Sequence, residues 1–311
     1  LTSPKTKLTV EGAITLKEQS AADSDTAAYG QLWVKTATPC QLYFTDDAGT
    51  DVQLVAGGAS VGSINDLTDA LVENNSIWLG NDPSSTTDTA SNNVAVGTTA
   101  LDSITTGDDN TAIGYNSLQT NTTGITNTAV GGTSLYTNLG GSYNNAFGYS
   151  ALYYNTSGTH NVAVGRLAGY NNTTASYNTS VGNSALQATT TGASNTAVGA
   201  EAADANTTGT FNTAVGRSAG GAITTGSYNT AMGADTLGAN VSGVNNTAVG
   251  YKALYVNTAN NNASVGYESM AANTSGTSNA AVGPYAMTAN TTGGNNVAVG
   301  MQALDANTTG T

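Results

Sequence analysis

The sequence predicts an all-β chain whose larger part is a parallel β-solenoid, or β-roll, of about fourteen rungs. Three observations predict it. A string of the form Asn-Thr-Ala-Val-Gly returns at a fixed period, apolar and small residues alternate within it, and Asn, Thr and Gly close each unit with turn chemistry.

The period is read from the glycines at 80, 97, 114, 131, 148, 165, 182, 199, 216, 233, 250, 266, 283 and 300, where every step is 17 except the 16 between Gly250 and Gly266. One residue before the glycine stands a large apolar side chain, as at Val96, Val130, Val198 and Val249. Two before it stands Ala or Ser in every unit from Ala95 to Ala298, and four before it stands Asn in all thirteen of those units, among them Asn93, Asn110, Asn127, Asn161, Asn195 and Asn246. Alternation of large and small is the period of a strand. Four residues after the glycine, Leu in eight units and Met in two mark a second short run, so each unit reads as two short strands and two turns. A helical solenoid is excluded, since its unit is longer, at roughly 30 residues or more, and has no use for Gly or Asn at every corner.

Rungs that rise by one strand spacing, about 4.8 Å, make fourteen units a rod on the order of 65 Å long. Like then lies above like: Gly97, Gly131, Gly199 and Gly250 fall in one file, and the asparagines form an amide ladder bonded to the rungs on either side. The residue missing from the one short step lies in the turn around Thr258 to Asn261, where a deletion spares the ladder.

Residues 1–60 form a separate β-rich module. Lys7–Leu16 alternates like a strand, Gly30–Lys35 and Gln41–Thr45 read as two more joined through Pro39, and Asp46–Asp51 reads as a hairpin turn into Val52–Val55. Residues 61–79 are a joint in which Leu67, Ala70 and Leu71 fall at helical spacing, suggesting a short neck helix capped by Asn65 or Asp66. Ile77, Trp78 and Leu79 form an apolar entry strand that covers the open end of the first rung, and 80–311 is the roll. The chain starts at Leu1 and stops inside the turn Asn307–Thr311, as expected of a piece of a longer product.

Charge excludes several functions. Only 9% of residues are charged, and a net charge of −13 with seven basic residues argues against a nucleic-acid groove. No apolar stretch approaches the roughly 20 residues of a membrane span. The single Cys40 makes no intrachain disulfide. His160, the one histidine, lacks the companions of a zinc cluster and reads as a surface polar residue. Asp108-Asp109 and Asp46-Asp47-Asp51 depart from the EF-hand pattern and read as solvated turns, and no cofactor or catalytic residue is expected. Arg166 and Arg217 open the two units that carry Gly169 and Gly220 where Leu is usual.

Within the strand string, residues one and two before the glycine point to opposite faces. The first reading places the Val column inside with Leu and turns Ala and Ser outward, toward a closely approaching second chain; the alternative places Val at a threefold axis and Ala inside. Tyr115, Tyr149, Tyr251 and Tyr267 follow the rung glycine directly, and Tyr136, Tyr153, Tyr170 and Tyr255 stand five after it. Rings aligned on a rod suit stacking on cell-surface sugars, but packing between rungs or chains is the favoured reading, since tyrosine columns also stabilise sheets.

The Asn-x-Ala-Val/Ile-Gly rungs resemble the head repeats of trimeric autotransporter adhesins, which are left-handed parallel β-rolls assembled as trimers. The longer unit, typified by Asn246–Thr258, is similar to tail-fibre and virion-appendage proteins of tailed phages, as are the strings Gly30–Lys35 and Tyr43–Gly49 of the first module. The adhesin rung is shorter than the unit of this chain, so trimer formation transfers more directly than strand layout. The resemblance, which covers about residues 76–311, implies a left-handed homotrimeric roll. It further implies a virion location, other virion or tail proteins at the N-terminal side, and attachment to a host surface that bears glycans. A bacterial surface adhesin is the alternative, and a polysaccharide-degrading spike a more distant one.

Overall fold

A computed structural model describes residues 18–19, 31–35, 41–45, 51–55, 70–80 and 89–311. The chain divides into two compact units, Leu1–Thr68 and Asp69–Thr311. In the first, β1 (Glu18–Gln19), β2 (Gln31–Lys35), β3 (Gln41–Thr45) and β4 (Asp51–Val55) form one sheet in that order. β2, β3 and β4 pair antiparallel, and β1 lies parallel to β2. The strand expected over Lys7–Leu16, the turn residues 46–50, and the segment 65–69 of the expected neck helix lie outside the described residues.

The second unit is a β-solenoid of fourteen parallel strands, from β6 (Ser76–Leu79) and β7 (Val94–Val96) to β19 (Val297–Val299). Each strand pairs in register with the next, so Ala112 lies beside Ala95 and Val130 beside Ile113. The short step leaves this intact: β16 (Thr247–Val249) still pairs β17 (Ala263–Val265) residue for residue. The deletion is absorbed where Asn257 reaches the carbonyl of Ala259 two residues on, while other rungs span three.

No helix forms over the described part of the joint. Residues 70–73 are strand β5 (Ala70–Glu73), antiparallel to β6. The reason is the connection: Asn74 and Asn75 both adopt left-handed backbone, with φ of 45° and 58°, the geometry of a two-residue hairpin turn. Trp78 is fully buried in the place that Ala takes in later rungs.

The structure corrects the expected layout of a rung in two respects. Each rung has one strand, not two, and from β7 on it is three residues long. The run after the glycine is a chain of turns because two of its residues are left-handed, as at Asn116 (φ 57°) and Leu118 (φ 49°). It still bonds to its neighbours, the Leu118 N–H donating to Ser134 O at 3.0 Å.

The second correction concerns the interior. Ala faces inward and Val outward: Ala95, Ala112, Ala129 and Ala197 are buried, whereas Val96 and Val282 are 36% and 45% exposed. The core is the Ala column packed against Leu101, Leu118, Leu135, Leu186 and their counterparts. The cause is the thinness of the coil. A Cβ placed at Gly220, a Leu position in other rungs, would lie 3.8 Å from the Cβ of Ala214, which leaves no space for a branched side chain opposite Leu. This geometry also accounts for Gly220 itself, whose core space is taken by Ile223, with Cδ1 2.9 Å from that Cβ position. At Gly169 the space is taken by Leu152.

Candidate functional site

The repeated residues create three features: ladders of buried asparagine, a glycine file, and outward columns of apolar and aromatic side chains. The first ladder contains Asn93, Asn110, Asn127, Asn144, Asn161, Asn195 and Asn246, all buried. Asn93 donates its backbone N–H to Ser76 Oγ at 2.8 Å, and from Asn110 on each backbone N–H donates to the side-chain oxygen of the asparagine before it, as Asn127 does to Asn110 Oδ1 at 3.0 Å and Asn161 to Asn144 Oδ1 at 3.0 Å. The side-chain Nδ2 donates to a turn carbonyl 14 residues on, as from Asn127 to Gly141 O at 2.9 Å, or 13 on at Asn246, where the short step falls. Backbone groups of a turn that no strand partner reaches are thereby satisfied.

A second ladder, which the sequence presents only as turn chemistry, stands seven residues after the glycine. Asn138 donates to Asn121 Oδ1 at 2.8 Å, Asn155 to Asn138 at 2.7 Å, and Asn172 to Asn155 at 2.7 Å. The two ladders meet, since Gly158 O accepts from Asn144 Nδ2 at 2.8 Å and from Asn155 Nδ2 at 3.0 Å. Where the second column is interrupted an acceptor is orphaned. Thr189 follows Asn172 and Ile223 follows Asn206, and these two asparagines have buried Oδ1 atoms without a hydrogen bond. The recurrence of Asn at 121, 138, 155, 172 and 206 was the signal that could have revealed this ladder.

The glycine file explains its own invariance. Gly97, Gly131, Gly199 and Gly250 have φ from 122° to 139°, and a Cβ at Gly199 would lie 2.5 Å from Gly216 O in the next rung.

On the outer face of the long sheet run two columns without a charged residue. One is Val94, Thr111, Thr128 and their successors; the other is Val96, Ile113, Val130, Phe147, Val164 and onward through Val198 and Val249. The four tyrosines considered for sugar contact are on the outside, with Tyr115 61% and Tyr149 59% exposed, but they do not form one file. Gly132 separates the first two, and the ring of Tyr149 leans over it, with Cδ2 3.6 Å from the glycine's Cβ position. Tyr251 and Tyr267 pack at 5.4 Å between ring centres, with Lys252 Nζ 5.3 Å from the Tyr251 ring.

Other rings stack rung upon rung. Tyr136, Tyr153 and Tyr170 follow one another at 4.9 and 5.3 Å, with Tyr154 edge-on to the last two. Burial and the neighbouring phenols raise the pKa of Tyr153, and burial and the hydrogen bond with Tyr154 raise that of Tyr170. His160 is exposed, and it is sandwiched between Tyr143 at 4.8 Å and Tyr177 at 5.0 Å. Phe211 and Tyr228 continue that column at 5.1 Å.

Asp108 serves a turn, accepting the Ser91 N–H at 2.8 Å. Arg217 makes an exposed ion pair with Asp235 at 3.4 Å. Among the described residues no three His, Cys, Asp or Glu side chains converge on a point, and no helix is long and apolar enough to cross a membrane. Comparison of the chain with protein-family models, with curated proteins and with solved structures finds no match.

Proposed function

We propose that the chain is a structural fibre protein, a phage tail fibre or virion appendage, in which a trimeric roll acts as a rigid spacer for attachment to a host surface. The observation that carries this reading is the unbroken file of fourteen parallel strands with an uncharged, apolar column on its outer face. A stack of identical rungs resists bending because each deformation must break backbone bonds and amide bonds together. The outward columns form a strip about 65 Å long and on the order of 10 Å wide, or roughly 600 Å² per chain, near the roughly 800 Å² per partner of a standard interface. One of the two columns is apolar throughout and the other is mostly Thr, and an exposed apolar column that runs the length of the sheet calls for a partner. Three copies that turn their Val columns toward a common axis would cover it with closed symmetry, and three chains in parallel add stiffness and avidity. In this reading no covalent bond is made or broken.

Light scattering under native conditions tests the assembly: a trimer mass is expected, and a monomer mass refutes it. Electron micrographs of the native particle test the location, with the rod expected to protrude from a virion. A rod on a bacterial cell would instead establish the surface-adhesin alternative, toward which the likeness of the rungs to adhesin head repeats points. Release of oligosaccharide from host capsule or lipopolysaccharide would overturn the non-enzymatic reading.

A further inference from the structure

The stack of rings five residues before the rung glycine has a gap of one ring. Tyr143, His160 and Tyr177 occupy three successive rungs and Phe211 and Tyr228 two more, but Ser194 stands between Tyr177 and Phe211. Neighbouring rings are held 4.8 to 5.1 Å apart, and two such steps put the Tyr177 and Phe211 rings roughly 10 Å apart. These two residues are 62% and 54% exposed. The gap at Gly132 is different, because there the Tyr149 ring leans into it.

From this geometry we infer that the slot over Ser194 binds one neutral pyranose ring of a surface glycan, sandwiched between Tyr177 and Phe211. The inference deepens the attachment reading and rests on it for the class of ligand. Width admits a sugar: a free flat ring in face contact with both neighbours needs only about 7 Å, so a slot of the width that His160 spans at 4.8 and 5.0 Å also takes the thicker puckered chair. Electrostatics favours it too, since the axial C–H groups of a pyranose carry the positive charge that the negative face of an aromatic ring attracts. The surroundings are polar and uncharged. Ser194 forms the floor and donates its N–H to Ser176 O on the preceding rung at 3.1 Å, Thr196 stands two residues on and Thr210 precedes Phe211 on the next rung, and no Lys, Arg, Asp or Glu lies between 175 and 200. A chain of net charge −13 without a basic residue at this corner disfavours acidic sugars.

The test is ligand-observed NMR on the intact chain with methyl glycosides of neutral hexoses, and with N-acetyltyrosinamide as the flat-ring competitor. At least one glycoside is expected to bind in the millimolar range, with saturation of ring C–H protons on both faces. Tyr177→Ala and Phe211→Ala should each weaken it about fivefold. Ser194→Tyr is the decisive variant, because it completes the stack. Ser194 has φ 60°, and Tyr143, Tyr177 and Tyr228 carry tyrosine at φ 60 to 63° in the same column, so the fold should tolerate the change. Binding should then be lost. Failure of every glycoside to bind, binding only of N-acetyltyrosinamide, or equal binding to Ser194→Tyr overturns the inference. None of these results alters the mass or the location of the rod, which decide the attachment reading separately.

Discussion

Removing one side chain from the middle of the first ladder should open the solenoid locally. In Asn144→Ala the backbone N–H of Asn161, which donates to Asn144 Oδ1 at 3.0 Å, is left in a buried site without an acceptor. An orphaned buried donor costs about 1–3 kcal/mol. Gly158 O loses its 2.8 Å bond from Asn144 but keeps the one from Asn155, and that loss adds about 1 kcal/mol. The sum is about 2–4 kcal/mol, concentrated on two rungs. A long array of repeats does not melt as one unit, so a single midpoint would blur the effect. Hydrogen exchange read amide by amide resolves it: protection at Asn161 should fall by about thirty- to seven-hundredfold relative to wild type. Asn183→Ala, at an exposed position, is the control and should change nothing. Unchanged protection of Asn161 in Asn144→Ala would refute the assignment of the ladder as what satisfies the turn.

The remaining expectations follow from the same columns. Gly199→Ala combines unfavourable φ with a Cβ 2.5 Å from Gly216 O, so it should cost more than about 2 kcal/mol in chemical denaturation, while Gly132→Ala, whose nearest neighbour would be 3.6 Å away, should cost almost nothing. Thr189→Asn should stabilise by about 1 kcal/mol, by supplying a donor to the orphaned Asn172 Oδ1; a lower thermal midpoint would contradict the account of that orphan. Val198→Asp combined with Val215→Asp places charge in the outer column, and light scattering should then report monomers whose circular dichroism is unchanged. Retention of the trimer in that variant would show that another face joins the chains.

Much of the solenoid was legible because its period is long and its letters are specific. A glycine at the same place in every rung marks a backbone that no other residue can follow, and Asn four before it marks a buried amide; both are local requirements that show in composition. The ring stacks were legible only in part. Tyr136, Tyr153 and Tyr170 share both a residue type and a position in the repeat, whereas Tyr143, His160, Tyr177, Phe211 and Tyr228 mix residue types in one column, so their common place was hidden until the rungs were superposed.

By itself the sequence determined the period, the position of the strand that precedes each rung glycine, the register between rungs and the tolerance of the turn near Thr258 for a missing residue. Tertiary structure alone decided which face of the strand is the interior, because alternation shows that Ala and Val lie on opposite sides without saying which side Leu will meet. Leu approaches across a coil so narrow that only Ala or Ser fits opposite it, and that contact, between residues on facing walls of the rung, turns the valines outward. The same distance between walls replaced the expected second strand by left-handed turns, which bring Leu118 and its counterparts back over the alanines.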